Sequence, residues 1–180
     1  MTQKQKSLID ELISSIPENE KKVFEEIAYY FIELDYIPQK SRVKDFILSF
    51  KHSGNGKVIS KMGIRKQKAF ISIKFFACKN VPEKYIDALR NDLDSRDGHY
   101  SGPPADCTPI PLNIIMKKCT LLCNLCTGGG MRYYYKYSDG KEIFRCSAYP
   151  ILIPDIKKND VNDLIRLIME QHNYFLSLTL

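Results

Sequence analysis

Residues 46–77 read FILSFKHSGNGKVISKMGIRKQKAFISIKFFA, and this stretch decides the fold class. Phe46, Leu48 and Phe50 recur at every second position, the period of a strand with one buried face. Gly54-Asn55-Gly56 then supplies residues that adopt positive φ with little strain, as a tight hairpin turn requires. Val58 to Ile64 is the returning strand. A third strand follows: Ala69, Ile71, Ile73, Phe75 and Ala77 point one way, and Phe70, Ser72, Lys74 and Phe76 the other.

Towards the N-terminus the period changes to that of a helix. Ile9, Leu12, Ile13 and Ile16 form one apolar stripe. Pro17 suits the first turn of a second helix, with Glu18 and Glu20 at its positive end. Phe24, Ile27, Ala28, Phe31 and Leu34 or Asp35 carry its stripe until Pro38 stops it. Towards the C-terminus, Pro82 opens a helix with Tyr85, Ile86, Leu89 and Leu93 on one face. Residues 95–112, rich in Asp, Gly and Pro, read as an irregular connection.

The second half restates the plan. Met131 to Tyr137 is a strand, Asp139-Gly140 a turn, Lys141 to Ala148 a return strand and Tyr149 to Ile153 a third strand, ended by Pro154. Asp160 caps a last helix whose stripe is Val161, Leu164, Ile165, Ile168 and Phe175. Aligning the hairpins pairs Lys51 with Lys136 and Gly56 with Gly140, but hairpin turns converge on such residues and the duplication stays open. The expected fold class is α+β: an antiparallel sheet built from two hairpin–strand–helix units, with an N-terminal helix pair and helices on one face. The expected parts are helices over 1–37, a first unit over 38–98, a connection over 99–118 and a cysteine-containing second unit over 119–180, together one compact domain.

This plan, with Asn55-Gly-Lys-Val-Ile-Ser followed by Phe70-Ile-Ser-Ile-Lys-Phe, resembles small uncharacterised bacterial α+β proteins of the YdhG-like or YjbR-like kind. The likeness covers about residues 46–95. It implies a fold only and carries over no functional residue, because fold does not fix function.

The 180 residues are 44% hydrophobic and 27% charged, which excludes a disordered or collagen-like chain. No apolar stretch suits a secretory signal or a membrane span, so the chain is expected in the cytoplasm, off the membrane. In a reducing compartment its six Cys are not read as three disulfides. Cys119, Cys123 and Cys126 lie close together, and Cys123-Asn-Leu-Cys126 is a knuckle that holds two thiolates on one turn, as tetrahedral zinc requires. With Asp139-Gly140 as the turn, Cys146 falls opposite Tyr133 and can face the knuckle. Cys119, Cys123, Cys126 and Cys146 are therefore the expected ligands of a structural zinc, with Cys107 as substitute. The competing reading is a set of packed free thiols. An iron–sulfur cluster ranks below zinc. The Cys119-x-x-x-Cys123-x-x-Cys126 spacing also occurs in radical S-adenosylmethionine enzymes, but residues 127–180 cannot build their barrel. Cys78, ending a strand, reads as packed.

The net charge of +6 is unevenly placed. No acidic residue lies between Phe46 and Pro82, where Lys51, Lys57, Lys61, Arg65, Lys66, Lys68, Lys74 and Lys79 all fall. A basic hairpin region with Phe70 and Phe76 offers Lys/Arg to phosphates and aromatic rings to bases. The bland alternative is a solvated face on which Lys blocks edge-to-edge pairing. His52, His99 and His172 read as surface or helix-face residues rather than bases. The expected function is thus a non-enzymatic binding module for a small molecule or protein. The alternatives are nucleic-acid binding through Lys51, Lys57, Lys61, Arg65, Lys66, Lys68 and Lys74, and a thiol- or metal-dependent enzyme.

Overall fold

The computed structural model of the chain describes residues 1–75, 77–78, 81–94, 115–118, 131–136, 142–146, 150–153 and 155–177. Helix α1 (Gln3–Ser15) starts at a capping box: Thr2 Oγ1 accepts the Gln5 N–H at 3.2 Å, and the Gln5 side chain accepts the Thr2 N–H at 2.6 Å. Helix α2 (Glu18–Glu33) follows Pro17 directly and buries Val23, Phe24, Ile27, Ala28 and Phe31. Asp35, at φ 62°, turns the chain out of the helix in the left-handed region that helix ends favour.

Here the structure corrects the sequence reading. The helical part does not run to residue 37, because Tyr36–Lys40 is a strand, β1, with Pro38 inside it. A proline is tolerated in an edge strand when its nitrogen faces away from the neighbour. The Ser41 N–H donates to the Ile47 carbonyl at 2.8 Å, so alternation along the β1–β2 ladder turns the Pro38 nitrogen outward. The strand's own alternation, with Tyr36 and Pro38 buried and Ile37 and Gln39 exposed, was the signal that the proline obscured.

Strands β2 (Ile47–His52), β3 (Val58–Arg65) and β4 (Lys68–Ile73) form the expected meander. A bulge between Phe50 and Lys51 shifts the β2–β3 register. The β3–β4 turn holds Lys66 and Gln67 at φ 49° and 63°, a two-residue turn of the primed kind built without glycine. Gly63 is required: a Cβ there would lie 2.1 Å from the Phe46 carbonyl oxygen and 2.9 Å from Ile47 Cα.

Beyond α3 (Glu83–Asp94), β5 (Ile115–Lys118) lies where the sequence suggested irregular chain. It pairs with the expected hairpin of β6 (Met131–Lys136) and β7 (Glu142–Cys146) in a three-stranded antiparallel sheet. Strand β8 (Ile151–Ile153) does not stay with that hairpin. It pairs antiparallel with β4, completing a five-stranded sheet in the order β1-β2-β3-β4-β8. A 3₁₀ turn at Lys158–Asp160 leads into α4 (Val161–Ser177).

Helices α1, α2 and α4 pack on the five-stranded sheet, and α3 lies beside β8. Leu48, Phe50, Met62, Ile71 and Ile73 meet Ile9, Leu12, Phe24, Ile27, Leu164, Ile168 and Phe175, all essentially inaccessible. Each such side chain stabilises by about 1.5–3 kcal/mol. Phe31 stacks on Phe50 with centroids 4.6 Å apart and meets Tyr36 edge-on at 5.7 Å. The fold is therefore α+β with an antiparallel sheet. No helix among the described residues is long and apolar enough to cross a membrane.

Candidate functional site

The five strands of the larger sheet carry Lys40, Lys51, Lys61, Arg65 and Lys68 and no Asp or Glu. Register places most of these cations on one face. Lys61 lies between Ser49 and Ser72, and Leu152 extends that row; Lys51 pairs with Ile37, and Arg65 with Lys68. The core residues Leu48, Met62 and Ile71 alternate with these positions and point the other way. Lys51, Lys61, Arg65, Lys66 and Lys68 are exposed, and among the described residues none of them makes an ion pair. Arg65 and Lys61 are four residues apart on one strand, about 13 Å at strand rise. Ile37 and Leu152, 37% and 50% exposed, add apolar surface to the same face.

Arg65 and Lys68 sit directly opposite each other across the two-residue turn that contains Lys66. Like charges in that position destabilise a hairpin. A bound anion removes that repulsion. Lys40 behaves differently: it pairs with Glu11 and lies 4.3 Å over the Phe46 ring. Lys57 is half-buried beside the β2–β3 turn, where its N–H donates to Asn55 Oδ1 at 3.0 Å. Lys74 leaves the expected basic set, because it is 1% exposed, with its Nζ 5.9 Å from the Phe175 ring centroid. The strand parity that sent Lys74 outward lapses where β4 ends at Ile73.

The structure brings together Tyr36, His52 and His172, which sequence reasoning had left apart. The two imidazole centroids are 5.4 Å apart, and Tyr36 lies 5.1 Å from His52 and 5.7 Å from His172. His52 Nδ1 accepts the N–H groups of Gly54 (3.2 Å) and Asn55 (3.3 Å), which places the proton of neutral His52 on Nε2. Tyr36 Oη is 3.3 Å from His172 Nδ1. Burial pushes the Tyr36 phenol well above its ordinary range, so it keeps its proton and donates to that nitrogen. Burial, and then the neighbouring His52, hold His172 below the usual imidazole value against the opposing effect of Asp35. Asn55 Nδ2 donates to the Phe175 carbonyl at 3.5 Å, tying the hairpin turn to α4. This cluster is a polar lock between β1, the β2–β3 turn and α4.

A cleft of about 440 Å³ opens between the start of α2, the β3–β4 turn and the segment joining β8 to α4. Phe24, Ile153 and Ile156 are its buried floor, and Asn19, Glu20, Gln67, Lys68, Asp155 and Lys157 its polar rim. Lys68 and Phe70 belong to both the cleft and the basic face.

Cys119, Cys123 and Cys126, with Cys107, lie outside the described residues. Cys146 ends β7, but its cross-strand partner is Arg132 and not Tyr133, one position from the expected register. Among the described residues no group of three His, Cys, Asp or Glu is placed to hold a metal. The Cys78 thiol donates to the Leu167 carbonyl at 3.1 Å, and burial raises its pKa well beyond the ordinary thiol range, so it is a packed neutral thiol. Set against protein-family models, curated proteins and solved structures, the chain has no significant match.

Proposed function

We propose that the chain is a non-enzymatic binding module whose ligand is a single-stranded nucleic acid lying on the basic face of the five-stranded sheet. One observation carries this reading. Arg65, Lys66 and Lys68 crowd one two-residue turn, with Lys61 and Lys51 farther along the same face and no carboxylate on any strand of the sheet. A solvated face needs no such one-signed arrangement. The cross-strand repulsion of Arg65 and Lys68 is a cost to folding that a phosphate offsets. The apolar Ile37 and Leu152 among these cations favour a single strand, whose bases lie open to contact, over a duplex that offers mainly phosphates.

The test is fluorescence anisotropy with twelve-nucleotide oligodeoxythymidine and oligouridine at several salt concentrations. The affinity is expected to fall with salt at a log–log slope of about −0.7 per phosphate contact, and Lys61→Ala is expected to make the slope shallower. Absence of binding to both oligonucleotides at low salt would remove this reading.

The zinc expected on Cys119, Cys123, Cys126 and Cys146 is a separate proposal. It rests on the Cys123-x-x-Cys126 spacing and would serve stability rather than chemistry. Elemental analysis checks it: close to one equivalent supports the site, and less than about one-tenth returns these residues to the class of packed thiols.

A further inference from the structure

We propose that the cleft beside the β3–β4 turn takes one unstacked base of the bound strand, and that it prefers guanine. The inference rests on the nucleic-acid reading of the adjacent sheet face. Continuity is the first argument: Lys68 and Phe70 belong to both surfaces, so a strand whose phosphates lie on Arg65, Lys66 and Lys68 passes the cleft mouth.

Charge is the second argument. The rim sets Lys157, and Lys68 shared with the face, against Glu20 and Asp155, so the cleft carries no net positive charge while the face beside it is positive. A phosphate belongs on the face, and a neutral group belongs in the cleft. Shape is the third. The 440 Å³ volume falls within the range of small-ligand pockets, roughly 300–1,000 Å³, and the floor of Phe24, Ile153 and Ile156 offers apolar surface to a flat ring.

The rim chemistry selects among the bases. Glu20 presents a carboxylate from the first turn of α2, where the helix end favours negative charge. A carboxylate accepts two parallel hydrogen bonds, and among the bases guanine alone offers two neighbouring donors, N1–H and the exocyclic amine, on one edge. Uracil and thymine offer a single donor there. The Asn19 and Gln67 amides are the remaining rim groups able to meet the guanine carbonyl.

The experiment compares two twelve-nucleotide strands, one all thymine and one with a single central guanine, against the wild-type protein and its Glu20→Gln variant. The guanine strand is expected to bind the wild type at least about fivefold more tightly, as one bidentate base contact gives. Glu20→Gln is expected to abolish that gain, lowering the affinity for the guanine strand by more than that for the thymine strand, so that the two strands bind alike. Equal affinity of both strands for the wild type, or a guanine gain that survives Glu20→Gln, overturns the cleft assignment while the sheet-face reading stands. Failure of both strands to bind the wild type overturns both. The fold of the variant is checked by its thermal midpoint, and Asn19→Trp, which covers the cleft from an exposed helical position, is expected to lose the guanine gain in the same way.

Discussion

On one face of the five-stranded sheet Leu48, Phe50, Met62, Ile71 and Ile73 are buried under the helices, each at 0% exposure. On the other face the same strands present Lys51, Lys61, Arg65 and Lys68 to water. The side-chain period of two lets one stretch of sequence do two jobs. Its apolar half sets stability, and its basic half adds none, because Arg65 and Lys68 repel each other across the turn. The acidic residues are elsewhere: Glu18 and Glu20 begin α2, and Asp163 and Glu170 lie on α4. That asymmetry, a face without carboxylates and with a mild cost to the fold, is what the nucleic-acid proposal rests on.

Substitutions on the two faces separate these jobs. The largest effect is expected from Phe50→Ala, which empties the ring stacked on Phe31: about 3–5 kcal/mol of stability should be lost in urea denaturation. Gly63→Ala should cost a comparable amount, since its Cβ would meet the Phe46 carbonyl backbone and not a movable side chain. Replacing Arg65, Lys66 and Lys68 together by Ala should behave in the opposite way. Stability should stay within about 0.5 kcal/mol of wild type in the same denaturation, while oligonucleotide binding falls.

A smaller effect belongs to the lock of Tyr36, His52 and His172. In the folded chain His172 holds its proton less tightly than the unfolded value of 6.5, so below that value the unfolded state binds more protons. The contribution of His172 should be constant above about pH 6.5 and fall as pH drops through it, with thermal midpoints reading the trend. His172→Gln should flatten that part of the profile. The smallest effect is expected at the Lys84–Asp160 pair. Burial pushes the Asp160 carboxyl up, but Lys84 and the Lys157 N–H outweigh it and hold the pKa below the ordinary value. Its contribution is present above about pH 4 and lost as pH falls further. Because both side chains are partly exposed, Asp160→Asn should cost at most about 1 kcal/mol at neutral pH, and less in high salt.

Strands β2 to β4 and the last helix were legible because their periods are local and long. The turn at Gly54-Asn55-Gly56 fell where it was expected, and so did the opening of α3 after Pro82. Strand β1 was hidden because Pro38 reads as a stop, although an outward-facing nitrogen makes it an acceptable edge residue. Strand β8 was located but not assigned, since three residues carry no information about which neighbour they join. The basic set was legible in composition, but Lys74 was wrongly counted because its burial is decided by tertiary packing where the strand ends. The lock could not be read at all: Tyr36 and His172 are 136 positions apart, and no local pattern announces such a meeting.

The central claim, that the basic sheet face binds single-stranded nucleic acid through phosphate contacts, is tested most directly by the salt dependence of oligonucleotide affinity. Wild-type protein is compared with the variant in which Arg65, Lys66 and Lys68 are Ala. Three lost contacts should reduce the log–log slope by about 2, at a thermal midpoint no lower than that of wild type. A variant that binds as tightly as wild type with the same slope, or a wild type that shows no binding at low salt, would contradict the account.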